Sequence, residues 1–115
     1  MAEAKLWDYT YFLTFTFSDE NYDPVYLLEN PMREIQLFLK RLRKKYKGVK
    51  LRYYVGSELG ADTLRFHYHM ILYSPVHLFQ DMRHIKKKYY RSAQLEKIWK
   101  NGGVIIDYAT ADTMR

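Results

Sequence analysis

The chain has 115 residues, 48% hydrophobic and 17% aromatic, which suits one domain with a buried core and excludes a disordered or fibrous protein. The absence of cysteine excludes disulfides, thiolate metal sites and cysteine nucleophiles, and no signal peptide or apolar run of ~20 residues is present. We therefore predict a soluble cytoplasmic protein, and the net charge of +6, carried by clustered Lys and Arg, makes nucleic acid a candidate partner.

The first half of the chain predicts a strand, an acidic connection and a helix. Residues 9–17 (YTYFLTFTF) are aromatic and β-branched in alternation, as a half-buried strand is. Residues 18–30 are acidic and rich in turn formers. Residues 30–48 predict a helix that has Asn30 as its N-cap, a proline at its first position and Gly48 just past its end. Its apolar stripe at the 3.6-residue period comprises Ile35, Phe38, Leu39, Leu42 and Tyr46.

The next segments predict a hairpin and a basic region. Residues 50–58 and 64–74 have the composition of strands, and the short, turn-rich stretch 59–63 between them predicts an antiparallel pair. Residues 77–90 are interpreted as a loop followed by an irregular or helical basic segment.

The C-terminal part predicts a second helix and a last strand. Residues 92–103 (SAQLEKIWKNGG) begin at the capping residue Ser92 and end in two glycines. The apolar residues that we expect this helix to bury are Leu95, Ile98 and Trp99. Residues 104–108 (VIIDY) complete the order β-α-β-β-α-β. This order predicts an α+β fold of the split βαβ or ferredoxin-like plan, an antiparallel sheet with helices on one face.

Two histidines stand on the predicted third strand where burial does not explain them. Alternate side chains of a strand share a face, so His67 and His69 point away from the hydrophobic face that should meet the helices. Glu58 closes the paired strand and is placed to reach the same face. Two imidazoles and a carboxylate form a facial set with open positions, suited to Mn²⁺, Mg²⁺ or Zn²⁺ as a Lewis acid. His77 and His84 are interpreted as ordinary surface histidines.

Positive charge is concentrated in residues 40–52 and 86–91. Clustered cations among many aromatics predict phosphate contacts and base stacking with a single strand. The cations that we expect to contact DNA are Lys40, Arg43, Lys44, Lys47, Arg52, Arg65, Lys86, Lys87, Lys88 and Arg91. One alternative is a non-enzymatic RRM-like module, in which Tyr53 and Tyr73 would be exposed stacking rings. Another is an interaction domain whose basic face is merely solvated.

Three motifs in this order resemble the HUH endonucleases, the initiators of rolling-circle replication. The motifs are FLTFTF (12–17), YVGSELG (54–60) and FHYHMIL (66–72). Together with the Trp-containing helix LEKIWKNGG, they are most similar to initiators of microvirus-type single-stranded-DNA phages. The resemblance implies His67 and His69, with Glu58 as third ligand, as a site for Mn²⁺ or Mg²⁺. Thr14 and Thr16 lie in the motif that shapes the family's DNA surface, although both also read as plain strand residues.

The same resemblance implies a single HUH-like domain over 1–115 that nicks and rejoins single-stranded DNA at an origin, with host replication machinery as a further partner. In the family a tyrosine attacks the scissile phosphate, forming a 5′-phosphotyrosine and releasing a 3′-hydroxyl. That tyrosine lies on a helix after the fourth strand, where this chain has only ATADTMR. Tyr108, Tyr90 and Tyr89 are weak substitutes. We therefore expect a truncated chain with its catalytic tyrosine beyond Arg115 and little or no cleavage of its own.

Overall fold

Six strands form one antiparallel sheet in the computed structural model, which describes residues 7–59 and 65–110. The strands are β1 Tyr9–Phe15, β2 Arg52–Leu59, β3 Phe66–Ser74, β4 Arg83–Lys86, β5 Tyr89–Arg91 and β6 Val104–Thr110. The helices are α1 Pro24–Glu29, α2 Arg33–Lys45 and α3 Ala93–Trp99, and a short 3-10 turn spans Asp19–Asn21. The order across the sheet is β2-β3-β1-β6-β5-β4.

The predicted α+β plan is confirmed by the four strands β2, β3, β1 and β6. In both split βαβ units an antiparallel strand lies between the two strands that the helix connects. Both α2 and α3 pack on one face of the sheet, where the rings of Phe15, Phe38 and Trp99 meet. We call this the helix face and the opposite side the open face.

The core lies between the helix face and the two longer helices. Trp99 is fully buried, packs 4.8 Å from the ring of Phe15 and donates its indole N–H to the carbonyl of Thr16 at 2.7 Å. Each such aromatic residue contributes about 1.5–3 kcal/mol through removal of apolar surface from water. The predicted stripe of α2 is confirmed, since Ile35, Phe38, Leu39 and Leu42 are buried and Tyr46 packs against them half-buried. The buried residues of α3 are the predicted Leu95, Ile98 and Trp99.

The prediction for residues 77–90 is wrong in its second part, because the basic segment forms the β-hairpin β4–β5 on the edge of β6. Lys87 has a φ of 50°, in the left-handed region, and lies between the two strands. All four residues of β4 are exposed, so the segment shows no alternation of apolar and polar residues. Backbone pairing alone makes these strands, and that leaves no hydrophobic pattern in the sequence.

The start of the long helix also differs from the prediction. Asn30 is the C-cap of α1, with its N–H donated to the carbonyl of Tyr26 at 2.8 Å, and α2 begins only at Arg33. The acidic connection therefore contains a helix that was not predicted, capped by Asp23, whose carboxylate accepts the N–H of Tyr26 at 3.1 Å. Proline follows this cap at the first helical position, where its missing N–H costs nothing.

The other predicted ends are close to those observed. Ser92 caps α3, accepting the N–H of Leu95 at 3.0 Å, and Gly48 follows α2 with a φ of 82°. Gly102 lies so close to the chain before it that an added Cβ would be 2.6 Å from the Ser18 nitrogen. The predicted turn at 59–63 lies, after residue 59, outside the described residues, as do residues 111–115. In the described part of the chain, no helix is both long and apolar enough to cross a membrane.

Candidate metal centre

Glu58, His67 and His69 come together on the open face at the end of the β2–β3 pair. In the register of these strands Glu58 lies opposite His67, and Gly56 lies opposite His69. One Glu58 carboxylate oxygen is 2.9 Å from Nε2 of His69 and 3.7 Å from Nε2 of His67. Directly opposed residues share a face, so the pairing itself brings the three side chains together.

The three side chains are open to solvent to different degrees. The side chains of Glu58 and His69 are 60% and 49% exposed, whereas that of His67 is 23% exposed. The two imidazole rings are 5.0 Å apart and nearly perpendicular, at 88°. A ligand can therefore approach the three groups from the open face without displacing any part of the described chain.

Thr14 fixes the orientation of one imidazole. It lies opposite His69 in the β1–β3 register, and its Oγ1 is 3.2 Å from Nδ1 of that ring. This hydrogen bond directs the other nitrogen, Nε2, toward Glu58. Groups that hold the distal nitrogen of a histidine ligand set its tautomer and orientation. The sequence placed Thr14 only on a DNA-binding surface, because its contact depends on the register of residues 55 positions apart.

The donor set fits a divalent cation. One nitrogen from each histidine and one carboxylate oxygen all lie within 4.8 Å of one another. Ligands bonded at about 2.1 Å to one ion lie about 3 Å apart, so small side-chain shifts would close the set. Within residues 7–59 and 65–110, it is the one group of three or more His, Asp or Glu side chains close enough to share an ion.

The predicted DNA-binding cations are not on one surface. Those of the α2 segment are exposed and lie on the helix layer, with the sheet between them and the candidate metal centre; they are Lys40, Arg43, Lys44 and Lys47. The guanidinium of Arg52 lies 5.9 Å from the ring centroid of Tyr54, on the edge strand of the open face. Lys86, Lys87 and Lys88 are exposed in the β4–β5 hairpin, and Lys88 pairs with Asp107 at 3.3 Å.

Two of the predicted arginines have acidic partners. Arg65 pairs with Asp19, donates to the carbonyl of Phe17 at 3.0 Å and lies 4.2 Å from the ring centroid of Tyr22. Arg91 binds both carboxylate oxygens of Glu96, at 2.7 and 2.8 Å. These hydrogen bonds raise the pKa of the Arg91 guanidinium above its usual value. Both side chains hold neighbouring segments together.

The tyrosines considered as weak nucleophiles lie away from the candidate metal centre. Tyr108 is opposite Tyr11 on the helix face, and its ring stacks 6.0 Å from that of Tyr11. Tyr90 is opposite the buried Ile106 and packs edge-on against Tyr108. Tyr89 is three strands from β3 in the sheet, a distance of about 14 Å at the usual strand spacing.

Two further predictions about aromatic and histidine side chains are wrong. Tyr73 is fully buried and stacks 6.2 Å from Trp7, while Tyr53 is half-buried in the core cluster, so neither is the exposed ring expected of an RRM-like surface. His77 is not an ordinary surface residue, because it stacks between tyrosine rings, 5.3 Å from that of Tyr9. The exposed aromatic residues of the open face are Phe12 and Tyr54.

Comparison with known proteins gives phage relatives. The chain is 35% identical over 86 residues to "Replication-associated protein ORF4" of Chlamydia phage 1, an alignment that covers 66% of this chain and 22% of that protein. It is 27% identical over 126 residues to "Replication-associated protein VP4" of Bdellovibrio phage phiMH2K, covering 96% of this chain and 38% of that protein. The chain thus spans less than two fifths of each relative, and no solved structure matches it. The model of the replication-associated protein ORF2 family matches residues 10–115, and the chain belongs to that family.

Proposed function

We propose that this chain is the metal-binding and DNA-positioning part of a HUH-type phage replication initiator, which nicks and rejoins single-stranded DNA. The observation that carries the proposal is the convergence of Glu58, His67 and His69 on the exposed face of the sheet, with Thr14 orienting His69. Membership of a replication-associated family and two relatives named as replication-associated phage proteins support it. The host cytoplasm is the compartment in which such an initiator meets its origin.

The three residues would hold Mn²⁺ or Mg²⁺, which polarises a phosphate oxygen when bound. His67 and His69 supply the nitrogen ligands, and the Glu58 carboxylate neutralises part of the added charge. Because Thr14 accepts the Nδ1 proton of His69, the lone pair of Nε2 is free for the cation. Three protein ligands leave coordination positions for water and for the phosphate of a strand that lies across the open face.

The covalent step in such an initiator is an exchange of phosphoesters. A tyrosine oxygen attacks phosphorus, a 5′-phosphotyrosine bond forms, the P–O3′ bond breaks, and the 3′ oxygen leaves as a hydroxyl after taking up a proton. Reversal by a 3′-hydroxyl rejoins the strand. The positions of Tyr89, Tyr90 and Tyr108 do not favour any of them, so we assign the attack to a tyrosine outside the described residues.

Binding of the single strand to labelled chain, with and without Mn²⁺, tests this function. We expect Mn²⁺ to strengthen binding to a single-stranded oligonucleotide measured by fluorescence anisotropy, and Glu58→Ala to remove that effect. Binding should also weaken steeply between about 50 and 200 mM salt, because the cations of α2 and the hairpin displace counterions from phosphates. A salt-independent affinity, or an Mn²⁺ effect that persists in Glu58→Ala, would contradict the proposal.

The RRM-like module remains the second candidate, favoured by the exposure of Phe12 and Tyr54 on the open face. It predicts single-strand binding that does not respond to Mn²⁺. Incubating the same samples with Mn²⁺ and examining them on a denaturing gel adds a direct readout of the chemistry. We expect no covalent adduct from this chain; an adduct would place the nucleophile within its 115 residues, where peptide mapping would identify it.

A further inference from the structure

A shallow groove of about 360 Å³ runs along the open face beside the candidate metal centre. Phe12 of β1, Tyr54 and Gly56 of β2, and His69 and Ile71 of β3 line it, with Thr14 at its end. Its volume lies at the lower end of the range of small-ligand sites. His69 belongs to both the groove and the candidate metal centre, so a molecule in the groove would be continuous with one bound at the metal.

Gly56 keeps this groove open. A Cβ added to it would meet no atom of the described residues within 4 Å, and its φ is outside the left-handed region. Neither a turn nor close packing against the described chain therefore requires a glycine here. A glycine inside a strand weakens it, and such positions often mark the close approach of a ligand. The space above Gly56, directly opposite His69, is of this kind.

Two exposed aromatic rings flank the floor of the groove. Phe12 and Tyr54 both lie opposite Ile71, one on each neighbouring strand, so their backbones are separated by two strand spacings, about 10 Å. The ring of Tyr54 is held in place by an edge-on contact with the fully buried Tyr73, at 6.1 Å. None of the residues that line the groove carries a formal charge at neutral pH when His69 is neutral. A flat, uncharged aromatic ligand fits these walls.

We propose that this groove binds one unpaired nucleobase of the DNA strand, next to the phosphate held at the candidate metal centre. The proposal rests on the proposed function, because continuity through His69 is what identifies the occupant as part of the same strand. Stacking on Phe12 and Tyr54 holds the base in place, and the open space over Gly56 admits its edge. The groove thereby fixes which phosphate of the strand lies at the cation.

Abasic scanning of a single strand tests the subsite. The ligand is a labelled oligonucleotide of about 20 nucleotides, compared with versions that each lack one base, in the presence of Mn²⁺. With the unmodified chain, we expect about ten-fold weaker binding when the base is missing at one position or two adjacent positions, the usual loss for one base–aromatic stack. A scan in which every position has the same affinity would overturn the proposal.

Gly56→Val fills the groove and provides the matching protein variant. It should bind the intact oligonucleotide about ten-fold more weakly and give a flat scan, while its Mn²⁺ affinity by calorimetry stays unchanged. Ser57→Val is the control, since it adds a branched side chain to the same strand at an exposed position facing the helix side, opposite Tyr68. Intact-strand affinity in Gly56→Val equal to that of Ser57→Val would overturn the subsite.

A second pair of variants covers the case in which Gly56→Val does not fold. Tyr54→Ala should weaken binding of the intact strand about ten-fold and flatten the scan, whereas Tyr54→Phe should retain both. Equal binding by the two variants would also overturn the subsite. If the unmodified chain shows no Mn²⁺-dependent binding, the proposed function itself fails. A flat scan together with Mn²⁺-dependent binding removes only the nucleobase subsite.

Discussion

The two faces of the central sheet are built from the same strands and do different work. On β3, Tyr68, Met70 and Leu72 are buried against the helices, while His67 and His69 alternate with them and meet solvent on the other side. The helix face is filled with aromatic and aliphatic side chains. The open face presents ligands, a groove and exposed rings.

This division shows that stability and chemistry can be altered separately in one small domain. Because the side-chain period of a strand is two, a single strand contributes to both faces without compromise between them. Substitutions on the helix face should change the free energy of unfolding. Substitutions on the open face should change binding of metal or DNA and leave the fold intact.

The largest expected effect is on the helix face. Trp99→Ala removes a fully buried ring and the hydrogen bond to the Thr16 carbonyl, and should lower the free energy of unfolding by about 3–5 kcal/mol. Urea denaturation followed by circular dichroism measures it. The matched truncation on the other side is Phe12→Ala, which removes a ring that is 37% exposed and should cost much less. Equal losses in the two variants would remove the distinction between the faces.

The next effect isolates the open face. Thr14→Val keeps the shape of the side chain but removes the hydroxyl that orients His69, and should lower Mn²⁺ affinity about 10- to 100-fold. The urea midpoint should hardly change. Thr16→Val is the control, because that hydroxyl donates to the carbonyl of Gly103 at 2.8 Å. If calorimetry gives both variants the affinity of the unmodified chain, Thr14 has no positioning role.

The smallest effect returns to the helix side and depends on pH. Burial raises the pKa of Asp81, but hydrogen bonds from Ser92 and the Gln94 N–H outweigh it and hold the pKa below the usual value. The folded state therefore binds this proton less readily than the unfolded state. The resulting stabilisation is present above about pH 4 and is lost as the pH falls through the lowered pKa.

Asp81→Asn should remove that part of the acid dependence. The cap of α3 is then held by Ser92 alone, and a cap of this kind contributes about 1 kcal/mol. Thermal unfolding of both proteins at several pH values measures the difference. An unchanged acid limb in Asp81→Asn would show that other carboxyl groups determine it.

The sequence predicted those features that depend on local periodicity. The alternation of residues 64–74 separated the histidines from the core, and the stripe of α2 named the residues that it buries. The hairpin β4–β5 was missed because it rests on backbone pairing and on one left-handed lysine. Asn30 was misassigned because a cap at the end of one helix and at the start of the next has the same residue preference.

Contacts between distant segments were the least predictable part of the candidate site. Glu58 could be placed because a short turn sets its register with His67. Thr14 reaches His69 only through the pairing of β1 with β3, which no local pattern fixes. The burial of Tyr73 depends on its stacking with Trp7, so the sequence overestimated the exposure of that ring.

Isothermal calorimetry with Mn²⁺ tests the central claim most directly, comparing the unmodified chain with His67→Ala/His69→Ala. The account predicts one binding event in the unmodified chain, none in the double variant, and the same circular dichroism spectrum for both, because the two histidines lie outside the core cluster. Mn²⁺ binding that survives the loss of both imidazoles, or no binding by the unmodified chain, would contradict it.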